Sequence, residues 1–280
     1  MSAVRIAVPS ELRAVAEAAL TGVPGARLVS PQIPAEAHPR QRWQRLWLER
    51  RRGSGADAAA AEAALQDGGQ RAVVAVLDRE ADAVLLPAGA AGDRAWRLLE
   101  PRRGLTALAE VWLAQTAAGP VAWCEWNAAR GAAAAEQLCL AAAEVAGWTQ
   151  RPARAVVVTF AGGKDTERAA TERLVATLQE RTEALHLPLY SPFFYRDEGL
   201  QAAALLAAVH RAAGNVVPVL CIPRLRGTEL GAAVRAGGGT WSGPLLAGAE
   251  LAAARLEAGA SAVEVTATVA WLLRAVAART

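Results

Sequence analysis

The chain has 280 residues, room for two domains of ordinary size or one large one, and its 53% hydrophobic and 20% charged residues suffice for a substantial core, which excludes intrinsic disorder. A formal charge of +3, with arginines alternating with acids, argues against a nucleic-acid-binding face. No apolar run reaches the eighteen or so residues of a membrane-spanning helix, and the N-terminus lacks the regions of a signal peptide, so the expectation is a soluble, cytoplasmic protein without membrane partners.

Short runs rich in Val, Leu and Ile alternate with longer alanine-rich segments, the rhythm of an α/β protein. In chain order the pattern predicts a strand over Val4–Val8, a helix over Glu11–Leu20, a strand over Arg27–Ser30, and helices over Arg40–Arg52 and Asp57–Gln66. Strands follow at Ala83–Leu86 and Val121–Trp126, then a helix at Glu136–Gly147, a strand at Ala155–Phe160, and helices at Thr166–Leu185 and Gly199–Ala213. The remainder reads as a strand at Val217–Ile222 and helices at Glu229–Arg235, Leu246–Glu257 and Ala262–Ala278. Several strands are apolar at nearly every position, as parallel strands covered on both faces must be. There is no internal repeat and no long linker.

Ser261-Ala262-Val263-Glu264 has the Ser-x-x-Glu pattern of a capping box opening the last helix. Thr159-Phe160-Ala161-Gly162-Gly163-Lys164-Asp165 lies where a buried strand gives way to a helix, and its glycines let backbone amides turn toward an anion at the positive helix end. It is not a nucleotide-binding phosphate loop, because the first glycine is missing and Asp165 follows Lys164 where Ser or Thr belongs; an anion site and a purely steric turn both remain open there. Gly237–Gly243 follows no strand, and no ribose-binding acid follows it at the right distance, which disfavours a dinucleotide site. Cys124, Cys139 and Cys221 show neither disulfide nor zinc spacing, and Cys124, between Trp123 and Trp126, reads as a buried, inert thiol. The histidines at 38, 186 and 210 suggest neither a metal site nor a triad, and no metal or bound cofactor is expected.

Read in order, several pieces resemble the phosphate acetyltransferase and phosphate butyryltransferase family. Arg51-Arg52-Gly53 before Ala58–Leu65 looks like the family's Lys-Gly turn before a helix, and Ala81-Asp82-Ala83-Val84 like its alanine-aspartate strand. Ala122-Trp123-Cys124-Glu125-Trp126-Asn127, followed by Glu136-Gln137-Leu138, is similar to the Ala-Asp-Cys-Ala-Val-Asn strand and its Glu-Gln-Leu helix. Arg154–Phe160 resembles the Val-Ala-Met-Leu-Ser strand, and Val219–Leu225, with Pro223, the Val-Phe-Ile-Phe-Pro-Asp-Leu segment. The strongest match runs from Gly243-Pro244-Leu245-Leu246-Ala247-Gly248 through Gly259-Ala260-Ser261, without a gap, onto the Gly-Pro-Ile-Leu-Gln-Gly…Ser-Arg-Gly signature.

The resemblance implies a two-domain α/β architecture of the isopropylmalate dehydrogenase type, with mostly parallel sheets and an interdomain cleft. The first domain would be split over 1–112 and 247–280, its last two helices returning from the far end of the chain, and the second inserted over 113–246. It further implies a homodimer and transfer of an acyl group between coenzyme A and phosphate. By the same likeness, Arg235 stands where the family keeps an anion-contacting arginine and Asn127 closes the matched strand segment, while Thr159, Gly162 and Gly163 are candidates from the strand-to-helix turn described above. Arg50 and Arg94 only approximate the first domain's arginines, and Arg196 sits where an aspartate is usual.

The serine and arginine of the Ser-Arg-Gly motif fall on Glu257 and Ala258. Losing one preorganised oxyanion donor costs about 2.7–4 kcal/mol. A glutamate ~4–5 Å from the incoming anion adds roughly 3–4 kcal/mol at an effective dielectric near 20. Together these suppress turnover by about four to five powers of ten. Arg255, three residues before Ala258 on the expected helix, is the candidate substitute donor. Three readings follow: a diverged, non-catalytic or strongly impaired member that binds CoA, acyl-CoA or an anionic metabolite; an active phosphate acyltransferase with a modified site; or a structural, scaffolding subunit.

Overall fold

The computed structural model describes residues 3–21, 23–99, 108–124, 132–160, 165–181, 184–189, 198–221 and 227–279. The chain divides into two compact units, one formed by Met1–Thr106 with Gly243–Thr280, the other by Ala107–Ser242. Both are α/β.

The first unit begins with β1 (Val4–Ala7), a short 3-10 turn (Ser10–Leu12), α1 (Arg13–Leu20), β2 (Ala26–Val29), α2 (Ala37–Arg50), α3 (Ala58–Ala64), α4 (Gly68–Leu77), β3 (Ala83–Leu86) and α5 (Ala90–Trp96). The second unit contains β4 (Ala109–Thr116), β5 (Gly119–Cys124), α6 (Ala132–Thr149), β6 (Ala153–Phe160), α7 (Asp165–Arg181), β7 (Leu185–Leu189), α8 (Glu198–Ala213), β8 (Val217–Cys221), α9 (Gly227–Ala236) and β9 (Thr240–Trp241). The chain then returns to the first unit with β10 (Leu245–Ala247), β11 (Ala252–Arg255) and α10 (Ala262–Ala277).

In the first unit the strand order is β2-β1-β3-β11-β10, parallel from β2 to β11, with β10 antiparallel to β11. All four residues of β3 are buried, as a strand covered on both faces requires. Helix α2 sets Trp43 and Trp47 into the core, and both indoles find acceptors: Trp43 Nε1 donates to Asp78 at 3.0 Å and Trp47 Nε1 to Gln70 at 2.8 Å. Asp57 and Asp67 cap α3 and α4 by accepting from the amides of Ala60 and Gln70.

The second unit orders its strands β9-β4-β5-β8-β6-β7, with β9, β4 and β5 antiparallel and β5, β8, β6 and β7 parallel. Its core gathers Trp112, Trp123 and Trp241 with Val156, Val158, Leu205, Val209 and Leu220, and the rings of Trp112 and Trp123 meet edge to face at 4.8 Å. Tryptophan here is packing material.

One expectation fails. Leu246–Glu257 is not a helix but the hairpin of β10 and β11, so one helix and a hairpin, rather than two helices, return to the first unit. Alanines invite the helical reading, but Gly248 turns the chain at φ 77°, and Ala252–Ala254 are buried beside β3. Strand pairing outweighs local propensity there.

Candidate functional site

The positions matched to the Ser-Arg pair lie between the carboxyl end of β11 and the first turn of α10. Three parallel strands, β1, β3 and β11, end together here, the edge at which open α/β sheets bind ligands. Hydrogen bonds fix the exit of β11: Arg255 N donates to the Pro244 carbonyl and Leu256 N to that of Leu86, both at 2.9 Å. The turn that follows leaves Glu257 half-buried and Ala258 exposed, and Ala260 N reaches back to the Glu257 carbonyl at 3.2 Å.

Gly243 and Pro244 shape this exit from below. A Cβ at Gly243 would collide with the Arg255 carbonyl, and the Gly243 amide donates to Thr268 Oγ1 at 2.8 Å, which itself donates to the Glu264 carbonyl at 2.7 Å. The Gly-Pro dipeptide is thus the brace of a strand–turn–helix unit. That role suffices to explain its presence without any chemistry.

The N-terminus of α10 carries its own anion. Ser261 N donates to Glu264 Oε2 at 2.8 Å, and Glu264 N returns to Ser261 Oγ at 3.4 Å, the capping box that the sequence predicts. Glu264 is buried in this role.

Arg255 does not stand on a helix with Ala258, so the helical spacing that made it a candidate substitute donor lapses. It is the last residue of β11. Its guanidinium donates to Asp93 of α5 at 2.6 Å and lies 5.3 Å from the centre of the Trp96 ring. Asp93 and Trp96 escape sequence reading because α5 is only seven residues long. The two arginines that approximate the family's positions are also engaged: Arg50 pairs with Glu250 at 2.8 Å and Arg94 with Asp67 at 2.9 Å. Asp82, from the alanine-aspartate match, is held by Arg5 through two side-chain bonds and the Arg5 amide. The Arg5 guanidinium's hydrogen bonds keep the Asp82 carboxyl below its usual range.

Of the remaining candidates, Arg235 is an exposed residue in the last turn of α9, and Thr159 lies near the end of β6, paired with Pro188 of β7. Asn127, Gly162 and Gly163 fall outside the described residues. In the first unit the geometry brings Arg255 together with Asp93 and Trp96, while Glu257 and Ala258 follow it in the turn after β11. Among the described residues, no group of three or more His, Cys, Asp or Glu side chains is placed to hold a metal ion, and no helix is long and apolar enough to cross a membrane.

No protein-family model and no curated protein sequence matches the chain. Solved structures do. A phosphotransacetylase from Streptococcus pyogenes is similar at a TM-score of 0.69 and 18% identity, covering 99% of this chain and 94% of that one. The EutD phosphotransacetylase from Staphylococcus aureus gives a TM-score of 0.65 at 16% identity, over 98% of this chain and 94% of the other. A branched-chain phosphotransacylase from Enterococcus faecalis V583 gives 0.59 at 13% identity, over 98% and 99%. Likeness at such identities speaks for the fold and leaves the chemistry to the residues of the site. The chain has the fold of the phosphate acyltransferases.

Proposed function

We propose that this protein is a diverged phosphate acyltransferase relative that binds coenzyme A, an acyl-CoA or an anionic metabolite and catalyses acyl transfer to phosphate weakly or not at all. The observation that carries the reading is the turn after β11. Where the signature has a hydroxyl and a guanidinium, this chain presents a half-buried carboxylate, Glu257, and an exposed methyl, Ala258. Transfer to phosphate needs donors aimed at the developing oxyanion and cations for the doubly charged acceptor. Glu257 opposes the second requirement, and Ala258 supplies neither.

The neighbouring cation adds support. Arg255 is engaged by Asp93 at 2.6 Å and its side chain is only 21% exposed, which counts against its service as a replacement donor. Arg235, exposed at the end of α9, is the cation this reading assigns to anion contact in the second unit. A homodimer and a cytoplasmic setting are part of the same proposal.

Calorimetric titration with CoA, acetyl-CoA and phosphate, run beside an assay for phosphate-dependent thiol release, tests it. Binding heat with negligible thiol release is the expected pair of results. Acetyl phosphate synthesis at ordinary enzymatic rates overturns the loss of catalysis, and no heat at millimolar ligand overturns the binding role.

A further inference from the structure

Two of the three cysteines end adjacent parallel strands. Trp123 of β5 lies opposite Leu220 of β8, so the next step in the same register sets Cys124 against Cys221, the last residue of each strand. Register partners in a sheet point to the same face, and neighbouring strands run about 4.8 Å apart. That spacing falls within the roughly 4.4–6.8 Å between Cα atoms that a disulfide spans. Both residues are buried, at 1% and 0% exposure, and neither is in a disulfide. Burial pushes the Cys221 thiol well up, and the nearby Cys124 sulfur adds to the effect, which marks the two as electrostatic neighbours. Cys139, the third, is half-buried on α6.

We propose that Cys124 and Cys221 form an oxidisable dithiol, which hydrogen peroxide converts into a disulfide clipping together the carboxyl ends of β5 and β8. In the first step the Cys124 thiolate attacks the peroxide and takes one oxygen as a sulfenic acid, while the other oxygen leaves as hydroxide and collects a proton. The Cys221 sulfur then attacks the sulfenic sulfur, the S–S bond forms, and the sulfenic hydroxyl departs with the Cys221 proton as a second water. Each sulfur gives up one electron, and the peroxide is reduced to two waters. Dithiol and disulfide are both uncharged, so the exchange leaves no ion in the apolar layer.

The test is peptide mass mapping of the native protein after hydrogen peroxide and thiol blocking, without reduction. The expected product joins the Cys124 peptide to the Cys221 peptide, reverts with a thiol reductant, and excludes Cys139. In the Cys221→Ala variant, Cys124 stops at the sulfenic acid and is trapped by a dione probe. Survival of both thiols in the native protein, with cross-linking only after denaturation, overturns the proposal, as does pairing of Cys124 with Cys139. Neither result bears on whether the protein binds CoA.

Discussion

The carbonyl of Arg255 fills the space that a side chain on Gly243 would need, so two residues a dozen positions apart close the base of the hairpin, and the Gly243 amide ties it to α10 through Thr268. Backbone, unlike the tip of a flexible side chain, has no cheap way to yield. The substitution Gly243→Ala therefore displaces the exit of β11, at a cost of about 3 kcal/mol, the upper part of the overpacking range. Thermal or denaturant unfolding of the variant measures it, and an unchanged midpoint contradicts the account of the Gly-Pro pair as a brace.

Ser261→Ala removes the side-chain acceptor for the Glu264 amide. The loss amounts to about 1 kcal/mol of stability. Ser261→Asp, which keeps an acceptor, restores the native midpoint more nearly than alanine does. Equal midpoints for the two variants contradict the capping role.

Two groups contribute to the response to acid. Burial, with Arg151 nearby, lowers the basicity of His210, so its neutral form is favoured in the folded chain. Its contribution is present above the unfolded value of about 6.5 and is lost as pH falls from there through the lowered folded value. The Asp82 carboxyl, lowered by Arg5, contributes above about pH 4 and fades as pH drops further. Unfolding followed from pH 8 to pH 3 shows the first loss diminished in His210→Gln and the second in Asp82→Asn. Variants whose curves parallel the native one at every pH exclude these assignments.

Rebuilding the signature is the sharpest functional test. Glu257→Ser with Ala258→Arg removes the opposing charge and supplies a cation at an exposed position that tolerates it. Phosphate-dependent thiol release from acetyl-CoA rises about 100-fold or more over the native chain, the scale of one restored oxyanion donor. A correctly folded double variant as inactive as its parent means that the defect lies elsewhere.

Much of the fold is legible in the residues. Runs such as Ala83–Leu86 and Val217–Cys221 are apolar throughout, and Ser261 with Glu264 announces α10. Helix α4 is not legible, because Ala72–Leu77 is buried almost all round and has neither a polar face nor a period to reveal it. Strand β4 escapes as well, its alternation blurred by burial from Val111 to Ala114. At the site, sequence alone gives the replacement at Glu257 and Ala258 but not the fate of Arg255. That depends on Asp93, 162 positions away, and no local pattern reports a pairing between two such distant side chains.

The route of the chain has a consequence for its synthesis. Residues 107–242 form one uninterrupted unit, whereas the earlier unit lacks the strand that flanks β3 until β11 has emerged from the ribosome. The later-made portion is thus the first able to close its sheet, while the N-terminal hundred residues wait with an unpaired edge and are the stretch most in need of a chaperone.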